Sequence, residues 1–265
     1  MDRVRAAGVA LAFLTAASSK ASPQAPDRMR SETPRIVVEF AAGALTEAEA
    51  AAFTELADRG VTDIETLVGS SLPVWARRTQ RIRFIVSDHA GMSRTFGHTV
   101  LLPLERVKTR SAPYLHETVH ALVPSRGDAV WLSEGLACHL ESWVSENRGG
   151  YDAHVFTRAG DRDIHAAARR YLSTAMGQAV LPWVGGHGEP PRLEEDRDGV
   201  ARPFYVLSQS LTKFLVEGRS LDAVVRLLTS SDGDFLGATG RSVEEWKADW
   251  LRSLSTRPPM RKPLR

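Results

Sequence analysis

His116-Glu117-Thr118-Val119-His120 sets two imidazoles four residues apart with a carboxylate between them. On a helix, residues i and i+4 lie one turn apart on the same face, so both histidines reach a single metal ion. Glu117 is rotated about 100° from His116, which takes it off the metal and leaves it within reach of a metal-activated water, the place of a general base. At the residue frequencies of this chain, chance supplies roughly 0.01 such matches. A catalytic zinc takes three protein ligands and keeps one position open, so another element must contribute. With a single cysteine, Cys138, the chain can form neither an intrachain disulfide nor a Cys-rich zinc site. The remaining ligand must be His, Asp or Glu.

Trp131-Leu-Ser-Glu-Gly-Leu-Ala-Cys-His-Leu-Glu141 offers the candidates. Leu132, Leu136, Leu140 and Trp143 form an apolar stripe at helical spacing, and Glu134 lies off it beside Gly135 and Ala137. Two small residues there let this helix come close to the first. A carboxylate in such a place needs a partner, because burying an uncompensated charge is expensive. Glu134 is the best third ligand. Glu141, two turns or about 10 Å further on, is the reserve. His139 points toward the stripe, and Cys138 reads as a small packing residue rather than an intruding ligand.

The elements that must hold these residues follow from period and punctuation. Ser111 as a cap, Pro113 in the first turn, a Leu115/Val119/Leu122 stripe and a stop at Pro124 and Gly127 predict a helix over 112–122. Further helices are expected over 132–146, 161–175, 203–217, 220–230 and 242–254, with a Gly/Pro-rich stretch between about 178 and 202. Upstream, Arg35–Phe40, Arg81–Ser87 and Thr99–Leu102 read as strands. Thr46 and Glu49 form a capping-box pattern for a helix expected to end at Gly60, and 63–80 is partly helical around Pro73. The expected organisation is α+β: an N-terminal α+β part over 35–110 and a helical catalytic part over 111–254.

Composition narrows the function. The chain has 265 residues, 43% hydrophobic and 25% charged, enough for a sizeable core. A net charge of +2 makes no basic field, so nucleic acid is not an expected partner. The basic start, the apolar run Ala6–Ala17 and Ser19-Lys20-Ala21 read as a signal peptide over 1–21, too short for a bilayer span. Export to the periplasm or medium is expected, with no stable membrane insertion. Residues 22–34 read as a linker and 255–265 as a basic, Pro-rich tail. Arg outnumbers Lys 29 to 5, the mark of a GC-rich bacterial genome.

His116-Glu-Thr-Val-His120 followed by Trp131-Leu-Ser-Glu-Gly-Leu-Ala137 resembles the gluzincin zinc metallopeptidases, in particular the peptidase MA-like families. The later stretches Phe204–Leu215, Leu221–Leu228 and Gly240–Leu251 are similar to their helical half, and the resemblance covers about residues 95–254. It implies a zincin-like fold, Zn2+ held by His116, His120 and Glu134, and a peptide or protein substrate. It also implies Glu117 as the catalytic base, Tyr205 as the donor to the oxyanion, and Thr99–Leu102 as a sheet edge along the cleft. Several members carry an Asp one turn after the ligand Glu, where it orients a ligand His; here that position is Cys138. The orienting group is therefore expected from elsewhere, such as a backbone carbonyl. The competing reading is a catalytically inactive zinc-binding scaffold that holds a protein partner. Glu117 between the ligands speaks for the enzyme, since a scaffold needs no base.

Overall fold

The computed structural model describes residues 28–127, 129–151, 163–186, 199–230 and 233–256. The signal segment, the start of the expected linker and residues 257–265 of the expected tail lie outside them.

Five strands form one mixed sheet: β1 (Arg28–Glu32), β2 (Ile36–Ala41), β3 (Ile82–Ser87), β4 (Arg94–Phe96) and β5 (Thr99–Pro103), in the order β1-β2-β3-β5-β4. The three central strands, β2, β3 and β5, run parallel, and the two outer strands are antiparallel to their neighbours. Alternation puts Val38, Phe40, Phe84, Val86, Val100 and Leu102 into the core. Two expectations fail here. The linker over 22–34 contains β1, which pairs with β2 from Arg28↔Ala41 to Glu32↔Val37. Thr99–Leu102 is not an edge: β4 covers it, joined by a two-residue turn in which Gly97 has φ +56°. The edge nearest His116 and His120 is β4, three residues long and without a hydrophobic pattern to announce it.

Ten helices pack against the sheet and one another among the described residues. They are α1 (Glu47–Val68), α2 (Leu104–Lys108), α3 (Tyr114–Leu122), α4 (Val130–Asn147), α5 (Ile164–Leu172), α6 (Ala175–Val180), α7 (Ala201–Gly218), α8 (Leu221–Thr229), α9 (Phe235–Thr239) and α10 (Val243–Thr256). Thr46 and Glu49 form the capping box at α1, with Glu49 N–H donating to Thr46 Oγ1 at 3.2 Å and Thr46 N–H to Glu49 Oε2 at 2.8 Å. The helix does not stop at Gly60. A Cβ there would sit 2.7 Å from Leu115 Cδ2, so this glycine serves the close approach of α1 to α3 rather than a helix end. The expected helix over 161–175 is two, because Thr174 accepts from Gly177 N–H and starts α6. The last helix runs to Thr256, slightly into the expected tail. No described helix is long and apolar enough to cross a membrane.

α3 is the keystone of the site. It lies between the α1–sheet layer and α4, and eight of its nine residues are buried. Its start differs from the expected one: Pro113 occupies the cap position with no side-chain hydrogen bond, and Ser111 Oγ pairs with Thr109 Oγ1 at 2.9 Å. Gly135 on α4 likewise works differently. A Cβ there would lie 2.2 Å from Thr212 Oγ1 and 2.6 Å from Ser208 O, so it lets α4 close on α7, not on α3.

Candidate metal centre

The two histidines of α3 face α4, and Glu134 meets them. His116 Nε2 lies 3.0 Å from Glu134 Oε2, His120 Nε2 lies 3.5 Å from Glu134 Oε1, and the two Nε2 atoms are 3.1 Å apart. Donors about 2.0–2.1 Å from a tetrahedral ion stand ~3.3 Å from one another, so this spacing suits one zinc-sized cation. Among the described residues this is the one group of His, Cys, Asp and Glu able to hold a metal. Burial would raise the Glu134 pKa, but the charge of His120 and hydrogen bonds from His116 and His120 prevail and hold the carboxyl well below its usual range. Glu134 is therefore ionised and ready to coordinate.

Both histidines are oriented from α4. Cys138 Sγ lies 3.7 Å from His116 Nδ1, and Ser133 Oγ lies 3.3 Å from His120 Nδ1. With Nε2 on a cation, His116 would carry its hydrogen on Nδ1, the atom that faces this sulfur. Burial pushes the Cys138 thiol up, and Cys138 stands outside the His116, His120 and Glu134 group. Cys138 is buried, as expected of a small packing residue, and its sulfur is also the group that faces His116 Nδ1.

Glu117 is buried and turned toward the sheet. Thr95 Oγ1, on edge strand β4, donates to Glu117 Oε2 at 2.7 Å and lies 3.1 Å from Glu117 O. Arg106, pulled down in pKa by its own burial, is held charged by Glu141 and Glu117. Tyr205 enters from α7: its ring is half-buried, 6.1 Å from the His116 ring centroid and inclined at 70°. The five residues named from sequence, His116, Glu117, His120, Glu134 and Tyr205, therefore share one place.

The reserve candidates go elsewhere. Glu141 is buried and its charge acts on Arg106 and Cys138. His139 has a pKa pushed down to about 4 by burial, among Lys213, Glu217 and His165. His98 donates from Nδ1 to Ala121 O at 3.2 Å, His165 Nδ1 lies 2.8 Å from Ser210 Oγ, and His89 is exposed. His154 and His187 lie outside the described residues.

No family model and no characterised protein sequence matches the chain. Solved structures similar to it include a mutant M1 zinc metallopeptidase from Deinococcus radiodurans, with 18% identity over 90% of this chain and 55% of that one at a TM-score of 0.46. Another is a two-domain M1 zinc metallopeptidase mutant bound to L-arginine, with 16% identity, 90% and 54% coverage and a TM-score of 0.47. The chain spans about half the length of these proteins.

Sequence reasoning missed Thr95, Ser133 and the role of Cys138. Ser133 and Cys138 stand at −1 and +4 from Glu134, and helical arithmetic alone places Cys138 on the ligand's face. Thr95 carries no such signal, because only the pairing of β4 with β5 brings it to α3.

Proposed function

We propose that this chain is a zinc-dependent peptidase in which His116, His120 and Glu134 hold the metal and Glu117 is the general base. The observation that carries the reading is the convergence of those three donors at ligand spacing, with a buried carboxylate on the neighbouring residue of α3. Zinc in such a site supplies a lowered pKa to a water molecule and polarises the scissile carbonyl. Glu117 takes a proton from the attacking water and returns it to the departing amine nitrogen. The Tyr205 hydroxyl donates to the oxygen on which charge develops. The substrate is a peptide or protein segment, and the exposed edge of β4 is available to pair with an extended one. The N-terminal 1–21 segment serves as the export signal.

The test is a paired one. Purified protein should hold about one zinc per chain and cleave members of a random peptide pool. Glu117→Gln should keep metal and fold and lose at least about a hundredfold in kcat, the lower end of what a general base contributes. Zinc without turnover in the wild-type chain leaves the scaffold reading; turnover that survives Glu117→Gln sinks the mechanism.

A further inference from the structure

We propose that Thr95 is a positioning residue for the base: its hydroxyl holds Glu117 Oε2 and so assigns proton transfer to Oε1. The proposal rests on the peptidase reading. A glutamate's terminal torsion is broad and nearly two-fold, so an ionised carboxylate beside a metal has two interchangeable oxygens unless something distinguishes them. Among the described residues, Thr95 is the side chain that donates to this carboxylate, at 2.7 Å. Its own place is set by the sheet, not by a flexible stem, since Thr95 pairs with Val100 in the β4–β5 ladder. The hydroxyl also has a second acceptor, Glu117 O at 3.1 Å. The shorter of the two contacts is the one to Oε2. The transferred proton goes from water to Oε1 and from Oε1 to the amine nitrogen; the threonine hydrogen stays on its oxygen throughout.

The carboxylate of Glu117 is thus held from a three-residue edge strand. The consequence is that the same strand that presents an open edge also fixes the base, so substrate pairing and base orientation share one scaffold.

The test uses the full chain loaded with zinc, comparing wild type, Thr95→Val, Thr95→Ser and Glu117→Gln on one cleaved peptide. Valine keeps the β-branched shape and removes the donor; serine keeps the donor. Thr95→Val should lower kcat about 10–100-fold, the scale of a base displaced by roughly an ångström, with KM and zinc content unchanged. Thr95→Ser should stay within about threefold of wild type. Thr95→Val at wild-type kcat, with Glu117→Gln inactive, overturns this proposal and leaves the peptidase reading standing. A serine variant as slow as the valine one, or zinc lost from both, assigns Thr95 a structural role and also overturns it. A wild-type chain without turnover overturns both.

Discussion

Replacing Cys138 by valine removes the acceptor at His116 Nδ1 and adds one methyl group at a buried position. His116 is 6% exposed, so water cannot substitute for the lost partner. A buried N–H left unpaired costs about 1–3 kcal/mol. The sulfur contact is long, 3.7 Å, and a thiol is a weak acceptor, which puts the expected loss in the lower half, about 1–2 kcal/mol. At 1.4 kcal/mol per tenfold, zinc binding should weaken about 5–30-fold, overlapping the range typical for groups that orient a ligand histidine. Competition against a chelator of known affinity measures this directly, and thermal unfolding of the metal-free variant separates a lost orienting bond from a damaged core. Cys138→Ser, which keeps a polar acceptor on a shorter arm, should fall between valine and wild type. Zinc affinity in Cys138→Val within about twofold of wild type would mean that the sulfur only fills space and that the orientation of His116 is set by packing.

Glu134→Ala should lose nearly all zinc at micromolar metal, read by metal analysis after dialysis; retention of zinc would move the third ligand to another residue. Tyr205→Phe should lower kcat about 10²–10³-fold with little change in KM, since a donor to developing charge acts only in the transition state; equal kcat would return the residue to a packing role beside His116. Gly135→Ala should destabilise the fold although alanine is the better helix former by about 1 kcal/mol. Its Cβ would press on Thr212 Oγ1 and Ser208 O at 2.2 and 2.6 Å, and overpacking of this kind costs about 1–3 kcal/mol. A lowered Tm together with weakened zinc binding is the expected result, and a raised Tm would show that α4 and α7 can part without cost.

The grouping of His116, His120 and Glu134 was legible because it depends on local arithmetic. His116 and His120 are one turn apart whatever surrounds them, and Glu134 was marked by standing off an apolar stripe on a helix that does form. The parallel strands β2, β3 and β5 announced themselves by β-branched runs. What stayed hidden depends on distant pairing. Strand β4 has three residues, and its order beyond β5 cannot be read from composition, so the edge was assigned one strand too far inward. Strand β1 was concealed by its charge: Arg28, Arg30 and Glu32 suit an exposed edge strand as well as a linker. Gly60 was misread because a glycine in a helix punctuates in the absence of a neighbour and packs in its presence, and the neighbour, Leu115, lies 55 residues later in the chain.

The precision of the centre is a property of α4 more than of the motif that first reveals it. α3 contributes two imidazoles, Ser133 and Cys138 of α4 stand against their Nδ1 atoms, and Glu134 lies between those two in sequence. α4 in turn is seated by α7. Gln209 Nε2 donates to Cys138 O at 3.2 Å and to Ser142 Oγ at 2.9 Å, while the lack of a side chain at Gly135 lets the two helices close at Ser208 and Thr212. Tyr205 rises from the same α7, one turn before Gln209. A shift of α4 along α7 would therefore move Glu134, Ser133 and Cys138 together relative to Tyr205 and to the two imidazoles of α3. Substitutions at Gln209 should then couple metal affinity to turnover without touching the metal, because ligand geometry and donor placement draw on a single helix–helix contact.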